Sequence, residues 1–181
     1  MATAWPRSTR RSEQTPLPIP ARARHAARVK TLYVDADGCA VKDEVYRVAA
    51  RYRWPVVLVA NHPVHTPASP LISTVVVAQG ADVADDYIAE RAGPGDIVVT
   101  SDLPLAARVL DREARALGPK GREFTVESIG DFLASRALSQ QLREMGVMTG
   151  GPAPMARNHR SQFLGKLDEL INAVQRAYPH G

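Results

Sequence analysis

Short apolar runs alternate with stretches of helical spacing along this chain, and that alternation restricts its fold more than any other feature. The runs have the length and composition of buried strands, and they lie at residues 31–34, 56–60, 74–78 and 97–100. The other stretches repeat apolar residues at intervals of three and four, as helices do, and they lie at residues 41–52, 82–92 and 103–110. Strands and helices that alternate at this pace form βαβ units, with helices on both faces of a parallel sheet.

The rest of the pattern adds one strand and two helices. Residues 114–117 form a weak strand pattern, and residues 126–145 and 161–177 have helical patterns that close the chain. We therefore predict an α/β fold with three layers, α/β/α. Its sheet is mainly parallel and has about five strands, and further helices lie at the C-terminal end.

The first 28 residues differ in composition from the rest. They contain prolines, arginines, serines and threonines without helical or strand periodicity, which predicts a disordered basic tail. Residues 1–30 hold seven of the 23 basic side chains and one of the 19 acidic ones, a net charge of +6, so residues 31–181 have a net charge of −2. We predict a tail at residues 1–28 and a single α/β domain at residues 29–181. The slightly acidic domain predicts no basic groove for nucleic acid.

Cysteine usage and hydropathy exclude several classes of protein. Cys39 is the only cysteine, so the sequence holds neither a disulfide framework nor a cysteine-rich zinc site. No apolar run approaches the roughly 20 residues that span a bilayer. We therefore predict a cytoplasmic protein without a membrane partner. We also predict that Cys39 is a small buried side chain, because neighbouring aspartates oppose formation of a reactive thiolate.

Aspartates follow two of the predicted strands at the point where each strand ends. The first strand leads directly into Asp35 and Asp37, and the fourth leads into Thr100, Ser101 and Asp102. Ligands of parallel sheets bind beyond the carboxyl ends of the strands, where the strand order reverses. If the two strands are neighbours, the three aspartates share one volume, and a hard divalent cation such as Mg²⁺ or Mn²⁺ would offset their repulsion. The alternative is that Asp37 and Asp102 cap the helices that follow them.

A third acidic group begins the helix predicted at residues 82–92. Asp82 as N-cap with Asp85 three residues later has the spacing of a capping box, which favours a structural role for Asp85. Asp86 has no capping role and is therefore the better additional metal ligand, with an exposed, solvated position as the alternative. Lys42, at the start of the first helix, is a candidate for offsetting carboxylate charge or for contacting a substrate phosphate.

These motifs together resemble the YaiI/YqxD family of uncharacterised bacterial proteins. The resemblance covers about residues 31–175. It is carried by Tyr33-Val-Asp-Ala-Asp37, Ala84-Asp-Asp86, Gly93-Pro-Gly-Asp96, Asp102-Leu-Pro-Leu-Ala106 and Thr149-Gly-Gly-Pro-Ala-Pro154. The family usually has alanine and proline where this chain has Gly38 and Ala40, and all the acidic positions of the pattern are kept. The family has no established activity, so membership alone implies none.

Two segments are in turn similar to PIN-like nuclease domains, namely the first strand ending at Asp35 and the segment at residues 100–106. This similarity implies a PIN-like α/β domain in which strand-end aspartates hold Mg²⁺ or Mn²⁺ and the metal activates water. Asp35 and Asp102 match the PIN aspartates, whereas Asp37 and Asp86 are looser placements. The implied function is metal-dependent cleavage of phosphodiesters in RNA or single-stranded nucleic acid, with Asp35, Asp37 and Asp102 as catalytic residues.

Two alternatives remain open. Asp35 and Asp37 also resemble the D-x-D-G-T start of haloacid-dehalogenase-type phosphatases, in which Asp35 would be the nucleophile and Asp37 the general acid/base. Thr100 or Ser101 would then contact the phosphate, and Lys120 would be its charge partner. The order of the acidic pair and the lysine is reversed here relative to those enzymes. The other alternative is a non-catalytic module that binds nucleic acid or protein.

Overall fold

The computed structural model describes residues 29–37, 39–80, 82–145 and 157–179. Its elements follow one another as β1 (Leu32–Asp35), α1 (Lys42–Tyr52), β2 (Val56–Ala60), β3 (Ile72–Val76), α2 (Val83–Arg91), β4 (Ile97–Val99), α3 (Leu103–Leu110), β5 (Arg115–Leu117), β6 (Glu123–Phe124), α4 (Val126–Glu144) and α5 (Arg157–Ala177). The tail predicted at residues 1–28 lies outside the described residues.

The strands form one six-stranded sheet in the order β3-β2-β1-β4-β5-β6. Neighbouring strands are parallel except β5 and β6, which pair antiparallel. The predicted α/β class with a mainly parallel sheet is thereby confirmed. β6 is only two residues long, which is too short for the alternation of apolar and polar residues by which a strand is recognised in a sequence. β3 lies at residues 72–76, two residues before the predicted run.

β1 lies at the centre of the topology. The chain passes from β1 to β2 and β3 on one side, and then crosses to β4 on the other side of β1. The strand order therefore reverses between β1 and β4, and their carboxyl ends form the switch point where parallel sheets bind ligands. The two strands that end in aspartate motifs are neighbours, as the predicted site requires.

Helices cover both faces of the sheet, and each face has its own apolar core. Leu32 and Val34 of β1 belong to the same core as Val45 of α1 and Phe163 of α5. Tyr33, between them in sequence, belongs to the second core, which α2 and α3 cover. Successive side chains of a strand point to opposite faces of its sheet, so this alternation produces the three layers.

The 19-residue helix α4 is less buried than the helices that cover the sheet. Thr125 and Ser128 form a capping box at its start, and none of its residues is buried. Phe132 and Leu133 are half-buried against the core beneath α3. One face of α4 is therefore free to line a surface cavity. No helix in the described ranges is long and apolar enough to cross a membrane.

Candidate functional site

Asp35 and Thr100 meet where β1 and β4 end. The two strands pair in parallel with Val34 opposite Val99, so the next residue of each strand emerges at the same edge of the sheet. The hydroxyl of the buried Thr100 donates a hydrogen bond of 3.0 Å to the Asp35 carboxylate. This bond fixes the orientation of Asp35 at the switch point.

Asp102 is held from two directions. Its backbone N–H donates to the Thr100 hydroxyl at 2.9 Å, and its carboxylate oxygen Oδ1 accepts from the backbone N–H of Leu105 at 2.9 Å. Asp102 is therefore the N-cap of α3, as the structural alternative for this residue predicted. The cap uses one carboxylate oxygen. The other, Oδ2, accepts no hydrogen bond from the residues that the structure describes and is available to a ligand.

Asp85, in the first turn of α2, adds a further carboxylate to this edge. Its pKa is raised to about 6, first by burial and then by the negative charges of Asp102 and Asp35. Burial also raises the pKa of Asp35; the hydrogen bond from Thr100 lowers it, and the charges of Asp37 and Asp102 raise it further. Asp35 thus lies in the electrostatic field of Asp37 and Asp102, and Asp85 lies in that of Asp35 and Asp102. The charge of Asp82 also raises the pKa of Asp85, and the charge of Arg108 lowers it. We call Asp35, Asp37, Asp85 and Asp102 the carboxylate crevice.

Asp86, which the sequence favoured over Asp85 as a metal ligand, is exposed and has a cationic partner. Arg108 donates a hydrogen bond of 2.7 Å to the Asp86 carboxylate in an exposed ion pair. The predicted capping box is wrong, because Asp82 has a left-handed backbone (φ 64°) and its side chain makes no capping hydrogen bond; a side-chain cap normally needs extended backbone. The usable signal is spacing, since Asp85 lies three residues before the buried Ile88 and so on the inward face of α2.

Asp37 belongs to the crevice through the loop after β1, and Lys42 lies at the start of α1, the helix that follows this loop. The Asp37 carboxylate lies 3.3 Å from Nδ1 of the exposed His62. The Lys42 ammonium donates a hydrogen bond of 3.1 Å to the backbone carbonyl of Ala36. Lys42 is thus bound to the loop that leads to Asp37 instead of to a carboxylate.

Positive charge near the carboxylate crevice comes from His62 beside Asp37 and from Arg108, whose charge lowers the pKa of Asp85. Among the described residues, no lysine, arginine or histidine forms an ion pair with Asp35, Asp85 or Asp102. Carboxylate oxygens are the hard ligands that Mg²⁺ and Mn²⁺ prefer. In the described ranges, no three histidine, cysteine, aspartate or glutamate side chains converge closely enough to hold a metal ion as they stand. The crevice supplies oxygen atoms of the kind that such an ion prefers, and its side chains would have to draw together to bind one.

Ser101 and Cys39 take opposite positions relative to solvent. Ser101 is exposed and lines a cavity together with Leu103 and Lys120. Cys39 is 7% exposed, and burial is the main cause that raises its pKa to about 11. The burial confirms the prediction that Cys39 is a small buried side chain. A thiol with this pKa is not a nucleophile near neutral pH.

Comparison with known proteins identifies the family. A family model described as "Uncharacterized BCR, YaiI/YqxD family" matches residues 33–173. The chain belongs to the YaiI/YqxD family. The matched range includes the whole carboxylate crevice, so the site lies within the part of the chain that defines the YaiI/YqxD family.

This chain aligns with nearly the entire length of several relatives. A "UPF0178 protein" of Caulobacter vibrioides (strain NA1000 / CB15N) is 52% identical over 151 residues, which is 83% of this chain and 99% of the relative. One of Rhodopseudomonas palustris (strain BisB18) is 52% identical over 146 residues, 81% of this chain and 94% of the relative. One of Paramagnetospirillum magneticum is 48% identical over 148 residues, 82% of this chain and 98% of the relative. No solved structure matches the chain.

Proposed function

We propose that this YaiI/YqxD-family chain cleaves phosphodiester bonds of RNA or single-stranded nucleic acid, using Mg²⁺ or Mn²⁺ bound in the carboxylate crevice. One observation carries the proposal. Asp35 and Asp102 lie at the ends of adjacent strands at the switch point, and their charges raise the pKa of Asp85. Carboxylates whose charges raise the pKa of a neighbouring acid, and which have no ion-pair partner, favour a divalent cation among them.

The crevice residues have different roles in this proposal. Asp35 is oriented by Thr100, and Asp102 is fixed by its cap of α3, so both present oxygen atoms from rigid elements. Asp37 and Asp85 add negative charge from the loop after β1 and from α2. We assign Asp35, Asp37 and Asp102 as ligands and Asp85 as the fourth carboxylate. When bound, Mg²⁺ or Mn²⁺ supplies an activated water and stabilises charge on the phosphodiester.

The residues predicted as substrate contacts separate into two groups. The Thr100 hydroxyl is committed to Asp35 and to the backbone of Asp102, so we propose a positioning role for it. Lys42 is bound to the carbonyl of Ala36, and we propose that it stabilises the loop that carries Asp37. Ser101 is exposed beside the crevice and stays a proposed substrate contact.

Calorimetric titration of Mn²⁺ into the full chain near neutral pH tests the metal site. We expect Asp35→Asn and Asp102→Asn to weaken Mn²⁺ binding by at least about tenfold, the lower end of what even a supporting residue contributes at metal sites. Asparagine caps helices as well as aspartate does, so α3 is preserved in Asp102→Asn. Asp43→Asn, which removes an exposed acid from α1, is the matched control and is expected to bind Mn²⁺ as the unmodified chain does. Equal Mn²⁺ affinity in all four proteins contradicts the site.

A cleavage assay tests the reaction. End-labelled single-stranded RNA is incubated with the full chain and Mn²⁺, and in parallel with a chromogenic phosphomonoester. We expect cleavage of the RNA, and its loss both in Asp35→Asn and after chelation of the metal. Cleavage that persists in Asp35→Asn would overturn the assignment of the crevice.

A phosphomonoesterase is the second candidate, because Ser101 and Lys120 line the same cavity. In that reaction an Asp35 oxygen would attack phosphorus, and the ester P–O bond would break as Asp37 protonates the leaving alcohol, which leaves an aspartyl phosphate for water to hydrolyse. Beryllofluoride would then bind at Asp35. Monoester turnover that is lost in Asp35→Asn, with RNA untouched, favours this candidate. Inactivity toward both substrates with Mn²⁺ bound indicates the binding module.

A further inference from the structure

A cavity of about 830 Å³ opens beside the carboxylate crevice. Ser101 and Leu103 form its end nearest the crevice, and its other walls are the loop after β5, one face of α4 and the start of α5. Ser101 stands between Thr100, which binds Asp35, and Asp102. The cavity and the crevice are therefore adjacent, with Ser101 at their boundary.

The cavity walls are strongly cationic. Lys120, Arg122, Arg136 and Arg143 line it, and no aspartate or glutamate is among the described residues that do so. We call this space, with these four side chains, the cationic cavity. A basic surface is thus present, contrary to the prediction from the net charge of the domain. Net charge averages over the whole surface, whereas the fold gathers these four side chains from the loop after β5 and from α4.

The four cations of the cavity have no acidic partners among the described residues. Several arginines elsewhere on the described surface are paired: Arg51, Arg108, Arg115 and Arg160 each form an ion pair with an aspartate or a glutamate. Like charges gathered around one concave surface raise the local concentration of anions there. A ligand with several negative charges is therefore the complementary occupant.

The arrangement on α4 follows helical spacing. Phe132, Arg136, Ser139 and Arg143 recur at intervals of four, three and four residues and all line the cavity, so they share one face of the helix. Two of the four cations thus stand about two turns apart along that face. Successive charges along a line match the repeated phosphates of a strand better than a single compact anion.

Apolar side chains also line the cavity. Leu103, Phe124 and Phe132 are among them, and the two phenylalanine rings pack edge to face with centroids 5.6 Å apart. The Arg122 guanidinium lies over the Phe132 ring at 4.9 Å. Guanidinium and aromatic planes are the surfaces on which unstacked bases stack in single-stranded nucleic acid.

The loop that carries Lys120 is held tightly in place. Gly121 has a φ of 80°, and a Cβ at this position would lie 2.6 Å from backbone atoms of Gln162 and Phe163 in α5. A residue other than glycine is therefore excluded by both backbone conformation and contact. The loop is pressed against α5, which keeps Lys120 at the rim of the cavity.

We propose that the cationic cavity binds a single strand of nucleic acid, with phosphates on Lys120, Arg136 and Arg143 and a base on the Arg122–Phe132 surface. The path of the strand past Ser101 into the carboxylate crevice rests on the proposed function, whereas binding in the cavity does not. A duplex keeps its bases stacked and cannot use these apolar side chains. The cations attract the strand, and the crevice repels it until a divalent cation neutralises the carboxylates.

Fluorescence anisotropy with a labelled, cleavage-resistant 2′-O-methyl single strand tests the cavity, in chelator and over a range of salt concentrations. We expect Arg136→Gln combined with Arg143→Gln to weaken binding by about tenfold or more. The slope of log K against log salt should fall by about 1.4, since two single-strand phosphate contacts contribute about 0.7 each. The matched control combines Arg47→Gln and Arg176→Gln, two exposed arginines outside the cavity. It has the same net charge and retains residues 1–28, and it should bind like the unmodified chain.

If the two double variants weaken strand binding equally, the cavity is not the binding site, because overall charge alone would then account for the affinity. A preference for a duplex of the same sequence, or equal affinity for polyphosphate of the same charge, would overturn the assignment to a single strand. The test is separate from that of the metal site, because Asp35→Asn should bind the strand in chelator at least as tightly as the unmodified chain. Binding of the nucleic-acid strand without binding of Mn²⁺ would support the proposed role of the cavity and contradict the proposed function. Mn²⁺ binding without strand binding would do the reverse.

Discussion

The two ends of β4 carry aspartates in opposite circumstances. At the amino end, Asp96 is fully buried, and its carboxylate oxygens accept hydrogen bonds from the backbone N–H of Thr31 at 2.9 Å and of Gly93 at 3.0 Å. At the carboxyl end, Asp102 accepts one backbone N–H, and its charge raises the pKa of both Asp35 and Asp85. The three residues of β4 thus separate Asp96, whose carboxylate accepts backbone hydrogen bonds, from Asp102, whose neighbours include other carboxylates.

This difference separates structural acids from candidate functional ones. A buried carboxylate that accepts backbone N–H groups is stabilised as an anion and ties together the segments that donate to it. Neighbouring carboxylates raise the pKa of Asp35 and of Asp85, neither of which forms an ion pair among the described residues, and acids with raised pKa values concentrate at functional sites. The environment of an aspartate, more than its place next to a strand, therefore indicates its role.

The largest effect is expected from Asp96→Ala. The substitution leaves the N–H groups of Thr31 and Gly93 without their partner in a buried turn, and each unsatisfied donor costs roughly 1–3 kcal/mol. We expect a loss of about 3 kcal/mol in the free energy of unfolding, measured by guanidinium denaturation, with the same loss in the presence of Mn²⁺. A loss that Mn²⁺ reverses would place Asp96 with the functional acids and break the comparison.

Asp102→Ala should have the next largest effect, because it removes the cap of α3. Loss of such a cap costs about 1 kcal/mol of stability. Asp102→Asn keeps a capping side chain, so it should lose little stability while it loses Mn²⁺ affinity. Denaturation curves of both variants in chelator test this. Equal stability of the alanine and asparagine variants would show that the hydrogen bond to Leu105 contributes nothing.

The parts of the site that are continuous in the chain were predictable from sequence. Asp35 and Asp102 directly follow strands, and the order of strands and helices predicts where parallel strands end. The capping box predicted for Asp82 and Asp85 is wrong because such a box depends on the backbone conformation of Asp82, which spacing does not report. The cationic cavity was missed because its residues come from separate elements, Lys120 from a loop and Arg136 from a helix. Only the packing of those elements brings the charges together.

Asp85→Asn gives a smaller effect that depends on pH. The pKa of Asp85 is raised to about 6 from 3.8, so the native state binds the proton more tightly than the unfolded state, and stability falls as pH rises through this window. Asparagine does not ionise, so the variant should be more stable than the unmodified chain above pH 6. We expect the free energy of unfolding to rise by roughly 0.5–1 kcal/mol above pH 6, a modest gain because solvent screens a partly exposed group. The gain should become smaller toward pH 4. Denaturation curves in chelator, recorded above pH 6 and at pH 4, measure this gain in stability. A gain of the same size at pH 4 would exclude ionisation of Asp85 as its cause.

Asp86→Asn should have the smallest effect and is the matched partner of Asp85→Asn. Its carboxylate forms an exposed ion pair with Arg108, and such pairs contribute little, so we expect a change in stability below about 0.5 kcal/mol. Thermal melting with and without Mn²⁺ then compares the two neighbours directly. The stabilisation by Mn²⁺ should be unchanged in Asp86→Asn and reduced in Asp85→Asn, because Asp85 lies in the field of Asp35 and Asp102 whereas Asp86 pairs with Arg108. The reverse result would restore Asp86 as the ligand, as its place in the sequence suggested, and would mean that α2 turns when the cation binds.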